Sequence, residues 1–134
     1  VIAVDTSVVV AAFASWHEGH RAATAALARK PGIPAHVLVE TYSVLTRLPP
    51  PHTALSAVVT GFLEERFRRP PMTLPPGLWL GLLLKSAREG VTGGAVYDAL
   101  VAATALHHGA VLLTRDRRAV RVYEKVGVSY ELAF

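Results

Sequence analysis

A chain of 134 residues that is 51% hydrophobic and 18% charged can bury one real core, and its balance excludes disorder. It has no cysteine, so disulfides and thiolate metal sites are excluded, and any metal must be held by oxygen or imidazole. The formal net charge of +4 and a sequence pI near 9.9 suit a polyanionic partner such as nucleic acid.

Val1-Ile2-Ala3-Val4 has no polar break, the pattern of a strand covered on both faces inside a parallel sheet. No signal peptide is expected, because Val1 already begins core sequence. Asp5-Thr6-Ser7 follows at the carboxyl end of that strand, where open α/β sheets place ligand sites, although these residue types also cap helices. The valines over 8–15 favour a strand by composition, but the Asp-Thr-Ser break predicts a short helix instead.

An alanine-rich helix is expected over 16–30, ended by Pro31-Gly32, with a very short strand over 33–35. A helix over 36–48 puts Val37, Val44, Leu45 and Leu48 on one face, and Glu40 points the same way. Pro49-Pro50-Pro51 stops it, and a second helix over 53–68 completes a helical hairpin. The prolines over 70–76 allow only a short extended segment. Residues 78–89 read as a broadly apolar helix with Leu78, Leu82 and Lys85 on one side. Residues 95–108 form a helix apolar nearly all round, hence buried, and Gly109 stops it. Ala110-Val111-Leu112-Leu113-Thr114 is a second apolar strand, followed by Arg115-Asp116, a helix to about Lys125 and a short strand over 128–130. Alternating strands and helices predict a parallel sheet with right-handed crossovers and helices on both sides, in one domain over 1–134, with no helix long enough to span a membrane.

Four acids occupy odd positions: Asp5, Glu40, Asp98 and Asp116. Each has an ordinary explanation, since Asp5 and Asp116 can cap helices, Asp98 can answer a helix macrodipole and Glu40 can turn outward. Two of them, however, follow apolar strands that a small doubly wound sheet sets about 4.8 Å apart. Asp98 at a helix start and Glu40 from the adjacent crossover then reach the same edge. Carboxylates so gathered repel unless a cation neutralises them, and a hard divalent ion such as Mg²⁺ or Mn²⁺ suits oxygen donors. The chemistry that fits is in-line hydrolysis of a phosphodiester.

The segments VIAVDTS, LVETYSVL, YDALVAATAL and LLTRD, in that order, resemble the PIN-domain ribonucleases, in particular the VapC-type toxins of prokaryotic toxin–antitoxin pairs. The resemblance spans the chain and implies a single PIN-like three-layer α/β/α domain with a short central parallel sheet and a helical hairpin insertion. It implies catalytic metal-site roles for Asp5, Glu40, Asp98 and Asp116: Asp5 and Asp98 as the chief ligands, Glu40 and Asp116 holding water or a second ion. Thr6, Ser7 and Thr114 match small polar positions that orient the acids or water. It further implies Mg²⁺ or Mn²⁺ as cofactor, cleavage of tRNA or rRNA to a 3′-hydroxyl and a 5′-phosphate, a cognate VapB-type antitoxin, a homodimer that forms a heterotetramer or larger assembly with it, and a prokaryotic cytoplasmic setting.

Arg115, Arg117 and Arg118 flank the last acid and are the candidates for RNA phosphate; Arg66, Arg68 and Arg69 read more simply as a solvated helix end. The six histidines are left out of the site. A phosphatase of the DxD type is disfavoured because Ser7 stands where its second acid belongs. The other alternative is a catalytically silent PIN-fold binding module acting through its antitoxin.

Overall fold

The computed structural model describes residues 1–134. Strand β1 (Ile2–Val4) pairs in parallel with β2 (Val111–Thr114), and β2 pairs in parallel with β3 (Tyr130–Leu132). On the other side of β1, Ala3 bridges Gly32 and Pro34 bridges Met72, again in parallel. The Gly32 N–H donates to Ile2 O at 2.9 Å, and the Val4 N–H to Gly32 O at 3.1 Å. The spatial order is therefore the Met72 segment, the segment 32–34, β1, β2 and β3. The chain first moves to one side of β1 and later returns to the other, which makes β1 the topological switch point of the sheet, where open α/β folds form their crevice.

Helices α1 (Thr6–Phe13), α2 (His20–Ala28), α3 (Ala35–Thr46) and α4 (Ser56–Arg66) come from the first two crossovers, and α1 packs on α2 and α3 while α3 packs on α4. Helices α5 (Trp79–Arg88), α6 (Ala95–His107) and α7 (Val120–Val126) come from the later ones, with α6 packed on α5 and α7. Right-handed crossovers put these groups on opposite faces. Both α1 and α6 touch β2. The layers meet in one core of 23 buried residues, with Val4, Val8, Leu112 and Leu113 fully covered. No helix is long and apolar enough to cross a membrane.

The valine run after Ser7 is helical because Asp5 caps it: Asp5 is extended (φ −96°, ψ 177°) and its carboxylate accepts the Val8 N–H. Context overrides the β preference of Val8-Val9-Val10. Four expectations are corrected. The helix over 16–30 begins only at His20, since His17 Nδ1 accepts the Gly19 N–H at 2.9 Å and Trp16 turns out to stack on His52 with ring centroids 3.9 Å apart. The strand over 33–35 is reduced to single bridges, because Pro34 has no N–H to extend a ladder. The last strand is Tyr130–Leu132, two residues later than expected, because Gly127 takes a left-handed φ of 93° and the Val128 N–H is spent on Tyr123 O, closing α7. Helix α6 is not buried all round, since Tyr97 and Leu106 face solvent.

Helix α3 buries Val37 and Leu45 of the expected stripe and Leu48 packs on the core just beyond it, but Thr41 is buried where Val44 is only partly covered, which leaves Glu40 at the border of the face. Thr41 is fully buried and its Oγ1 has no hydrogen-bond partner. An unmade hydrogen bond of this kind costs about 1–3 kcal/mol, and valine has nearly the same shape. Thr41→Val is expected to stabilise the chain by about 1 kcal/mol, read as a higher midpoint in thermal unfolding followed by circular dichroism; an unchanged or lower midpoint would show that the hydroxyl is satisfied.

Candidate active site

Asp5 follows β1 directly, and its backbone N–H still donates to Leu113 O at 3.1 Å, so the strand delivers the carboxylate to the sheet edge. Its side chain is almost wholly buried. Oδ1 accepts the Ser7 hydroxyl at 2.5 Å and the Val8 N–H at 3.3 Å, and Oδ2 accepts the Tyr123 hydroxyl at 2.7 Å. Burial pushes the Asp5 carboxyl above the usual range, and these donors pull it part of the way back.

The ends of β1 and β2 are tied by hydroxyls. Ser7 Oγ accepts the Arg115 N–H at 2.7 Å and lies 3.5 Å from Thr114 Oγ1. Thr114 Oγ1 in turn accepts the Asp116 N–H at 3.0 Å. Since the Ser7 proton goes to Asp5, Thr114 is the donor in the Ser7–Thr114 pair. The hydroxyls thus make one line of hydrogen bonds from the Asp116 backbone to the Asp5 carboxylate. Asp116 Oδ1 accepts the N–H groups of Arg118 at 2.9 Å and Ala119 at 3.3 Å, so it caps the turn leading into α7 and still faces the pocket.

Glu40 reaches the edge from the middle of α3, where the Thr6 hydroxyl donates to Oε1 and His36 Nε2 lies 3.8 Å from Oε2. Asp98 comes from the first turn of α6. It is the one acid of the four with no hydrogen bond to the protein. Burial, then the charges of Asp116, Glu40 and Asp5, push its pKa up to about 6, against a smaller opposing pull from Arg118.

Asp5, Thr6, Ser7, Glu40, Asp98 and Asp116, with Val101 and Tyr123, line one cavity of about 40 Å³. Larger cavities exist, such as one of about 420 Å³ beside α5, but the acids gather in this small one. The donors are carboxylate and hydroxyl oxygens, the chemistry a hard divalent ion prefers, and their mutual repulsion is the kind that such an ion relieves. No three of the acidic or imidazole groups yet converge at ligand distance on one point: Glu40 is turned to Thr6 and His36, and Asp116 to its own turn. Asp5, Glu40, Asp98 and Asp116 are the carboxylates on this cavity that could hold such an ion.

A family model for the PIN domain matches residues 2–125. The chain belongs to the PIN-domain family. It is 52% identical over 132 residues to "Ribonuclease VapC40" of Mycobacterium tuberculosis, covering 98% of both chains, and 44% identical to "Ribonuclease VapC27" of the same organism, covering 98% of this chain and 96% of that one. Within the family it is a VapC-type PIN domain. Its fold is similar to that in the crystal structure of FitAcB from Neisseria gonorrhoeae, with a TM-score of 0.69 at 18% identity over 97% of this chain and 96% of that one. It is also similar to VapBC2 from Rickettsia felis bound to a DNA fragment from their promoter, with a TM-score of 0.67 at 16% identity over 98% and 97%.

This PIN domain treats its three candidate arginines differently. Arg115 is engaged within the chain: its guanidinium donates to Ala133 O at 2.6 Å, stands 5.0 Å from the Phe134 ring centroid and fills the space over Gly19, where a Cβ would meet it at 2.2 Å. Arg117 also packs on Phe134, 4.5 Å from the ring centroid. Arg118 alone stands at the pocket, its Nε 3.8 Å from Asp116 Oδ1. Two residues at the site lay outside the sequence reading. Tyr123 carried no signal, being one aromatic in an ordinary helix. His36 did carry one, the i,i+4 spacing to Glu40, and it also stacks parallel on Tyr97 with centroids 5.2 Å apart.

The raised Asp98 pKa has a direct consequence for the metal-free chain. Because the folded value lies above the unfolded one, the native state holds the extra proton between about pH 4 and pH 6, and stability falls as pH rises through that window. Asp98→Asn removes the charge, so at pH 7.5 in EDTA the variant is expected to exceed the parent by about 1 kcal/mol after allowance for solvent screening. The two should converge below about pH 4, as read by thermal melts across pH. A variant less stable at pH 7.5 would make Asp98 a structural carboxylate.

Proposed function

We propose that this chain is a divalent-metal-dependent endoribonuclease, the toxin of a toxin–antitoxin pair, and that Asp5, Glu40, Asp98 and Asp116 form its catalytic metal site. The observation that carries the reading is Asp98: a half-buried carboxylate without a protein hydrogen bond, facing three further acids across a cavity of about 40 Å³. The relatives called ribonucleases, 52% and 44% identical over nearly the whole chain, supply the reaction class.

The division of labour follows from the hydrogen bonds. Asp5 is held rigidly by Ser7, Val8 and Tyr123, and Tyr123 stays protonated, its phenol pushed far up by burial and by the Asp5 charge. Thr6 aims Glu40, and the turn amides hold Asp116. Asp98 is left free to engage what enters. Asp5, Glu40, Asp98 and Asp116 would hold Mg²⁺ or Mn²⁺, which would offset the phosphate charge and make a water more nucleophilic. In the proposed in-line hydrolysis a bond from a water oxygen to phosphorus replaces the bond to the 3′-oxygen. The 3′-oxygen takes up a proton, and the products are a 3′-hydroxyl and a 5′-phosphate. Arg118 at the rim is positioned for a phosphate oxygen.

A structured RNA, tRNA or rRNA, is the proposed target, and the proposed setting is the prokaryotic cytoplasm with a VapB-type antitoxin and a second copy of the chain. The partner reading is supported by α5, which turns Leu80, Leu83 and Leu84 to solvent at i, i+3, i+4 spacing while burying Ser86. An outward apolar stripe of that kind marks an interaction surface.

The test is cleavage of total RNA by the purified chain in Mg²⁺ or Mn²⁺ and in EDTA, beside Asp98→Asn. Cleavage should require metal and fall by at least about 100-fold in the variant, with the fold intact by circular dichroism. Equal cleavage in EDTA or by the folded variant would sink the metal site, and metal binding without any cleavage would favour the silent binding module.

A further inference from the structure

The edge of the sheet opposite the acids carries the reverse charge. Lys30, Arg66, Arg68 and Arg69 line a cavity of about 490 Å³ in which Glu65 is the one acid. The cavity lies at the amino ends of the two outer segments, since Gly32 bridges Ala3, Met72 bridges Pro34, and Lys30 and Arg69 precede them. Arg69 Nη2 donates to Lys30 O at 2.7 Å and holds the two segments together there.

None of these four cations has a carboxylate within 4.0 Å; the ion pairs of the chain are Arg29–Glu131, His36–Glu40 and Arg118–Asp116. The macrodipole of α4 accounts for Arg66 in its last turn, but Arg68 and Arg69 lie beyond the helix, where that effect has faded. Lys30 adds a separate observation. It closes α2 with a left-handed φ of 56°, the one positive φ outside glycine, at a position that favours glycine over any residue with a Cβ. A cation is kept there against backbone preference, facing three others that repel it.

We propose that this cavity is a second RNA site, which takes backbone phosphates of the substrate several nucleotides away from the bond cut at the acids. The inference rests on RNA being the substrate. The two ends of β1 are about 10 Å apart, given three residues at about 3.3 Å each, and helices cover both faces of the sheet, so phosphates held at the two ends belong to nucleotides several positions apart. The acids repel a polyanion, so cations beyond their reach can hold the chain of phosphates without neutralising the pocket.

The experiment measures binding of labelled bulk transfer RNA to the full chain by fluorescence anisotropy in EDTA, across salt concentrations. The cavity variant is Lys30→Gly, Arg66→Gln and Arg68→Gln, with Arg69 kept because it holds Lys30 O. A control, Arg21→Gln, Arg47→Gln and Arg88→Gln, removes as much charge from exposed positions elsewhere. Both are first matched to the parent in thermal melts. The cavity variant is expected to bind at least about tenfold more weakly, with a salt slope shallower by about 2, as three lost phosphate contacts require. The control should stay within about twofold of the parent. Equal losses in both variants would reduce the effect to net charge, and unchanged binding in the cavity variant would leave the cations to an acidic protein segment; either overturns the proposal. Because binding is read without metal, a parent that binds RNA through the cavity but fails to cut it with Mg²⁺ overturns the nuclease reading, and with it the placement relative to a cut bond, and leaves only an RNA-binding cavity.

Discussion

The buried Asp5 carboxylate is the constraint on which the arrangement depends. A charge this far from water is costly unless donors surround it. The donors come from separate parts of the chain: Ser7 and Val8 at the start of α1 and Tyr123 from α7. Satisfying one side chain therefore fixes where α1 begins and how α7 docks. Ser7 also accepts the Arg115 N–H, which locks the exit of β2 beside the exit of β1. The same atoms that cap a helix align the two strand ends carrying Asp5 and Asp116. Capping takes neither acid out of the cavity, so for both the ordinary explanation is compatible with the proposed metal-site role.

Placement at the switch point adds the remaining acids without further strain. Because the chain leaves β1 on one side and returns on the other, helices from both layers begin or pass at the same crevice. Helix α3 brings Glu40 from one layer and α6 brings Asp98 from the other, and α3 and α6 are in contact. Asp98 sits in the first turn of its helix, where the macrodipole favours a carboxylate. Burial and three neighbouring acids nevertheless leave its pKa at about 6. Burial first, and then repulsion by the three acids, sets that balance, and a cation at the proposed metal site would relieve the repulsion.

Much of this was legible in the sequence because it follows from periodicity and breaks. Uninterrupted apolar runs before Asp5 and before Arg115-Asp116 identified two central strands, and the prolines after Leu48 ended a helix where the structure ends α3. The misses share a cause, which is that local pattern does not show where a tertiary partner lies. Pro34 and the prolines around Met72 reduce the outer strands to bridges that no run of β-formers reveals. Helix α5 reads as broadly apolar in sequence, yet it buries Ser86 and exposes Leu80, Leu83 and Leu84; composition gives the apolar residues but not which of them find a partner. Arg115 looked free beside the last acid because nothing in the sequence shows that Ala133 and Phe134 return to cover it.

The separation of charge across the sheet follows from what such a pocket must do. A carboxylate cluster meant for a divalent ion loses its affinity if lysine or arginine folds into it, since an internal cation would satisfy the acids first. The pocket accordingly has no basic lining residue, and Arg118 touches it only from the rim with its side chain 96% exposed. Yet a polyanion must still be drawn to an acidic crevice, and within a Debye length of about 8–10 Å the acids oppose it. Cations at the far end of the sheet, with Glu65 the one acid beside them, would attract a chain of phosphates without discharging the pocket. β1 is three residues long, about 10 Å, so the cationic end of the sheet lies about one Debye length from the acids.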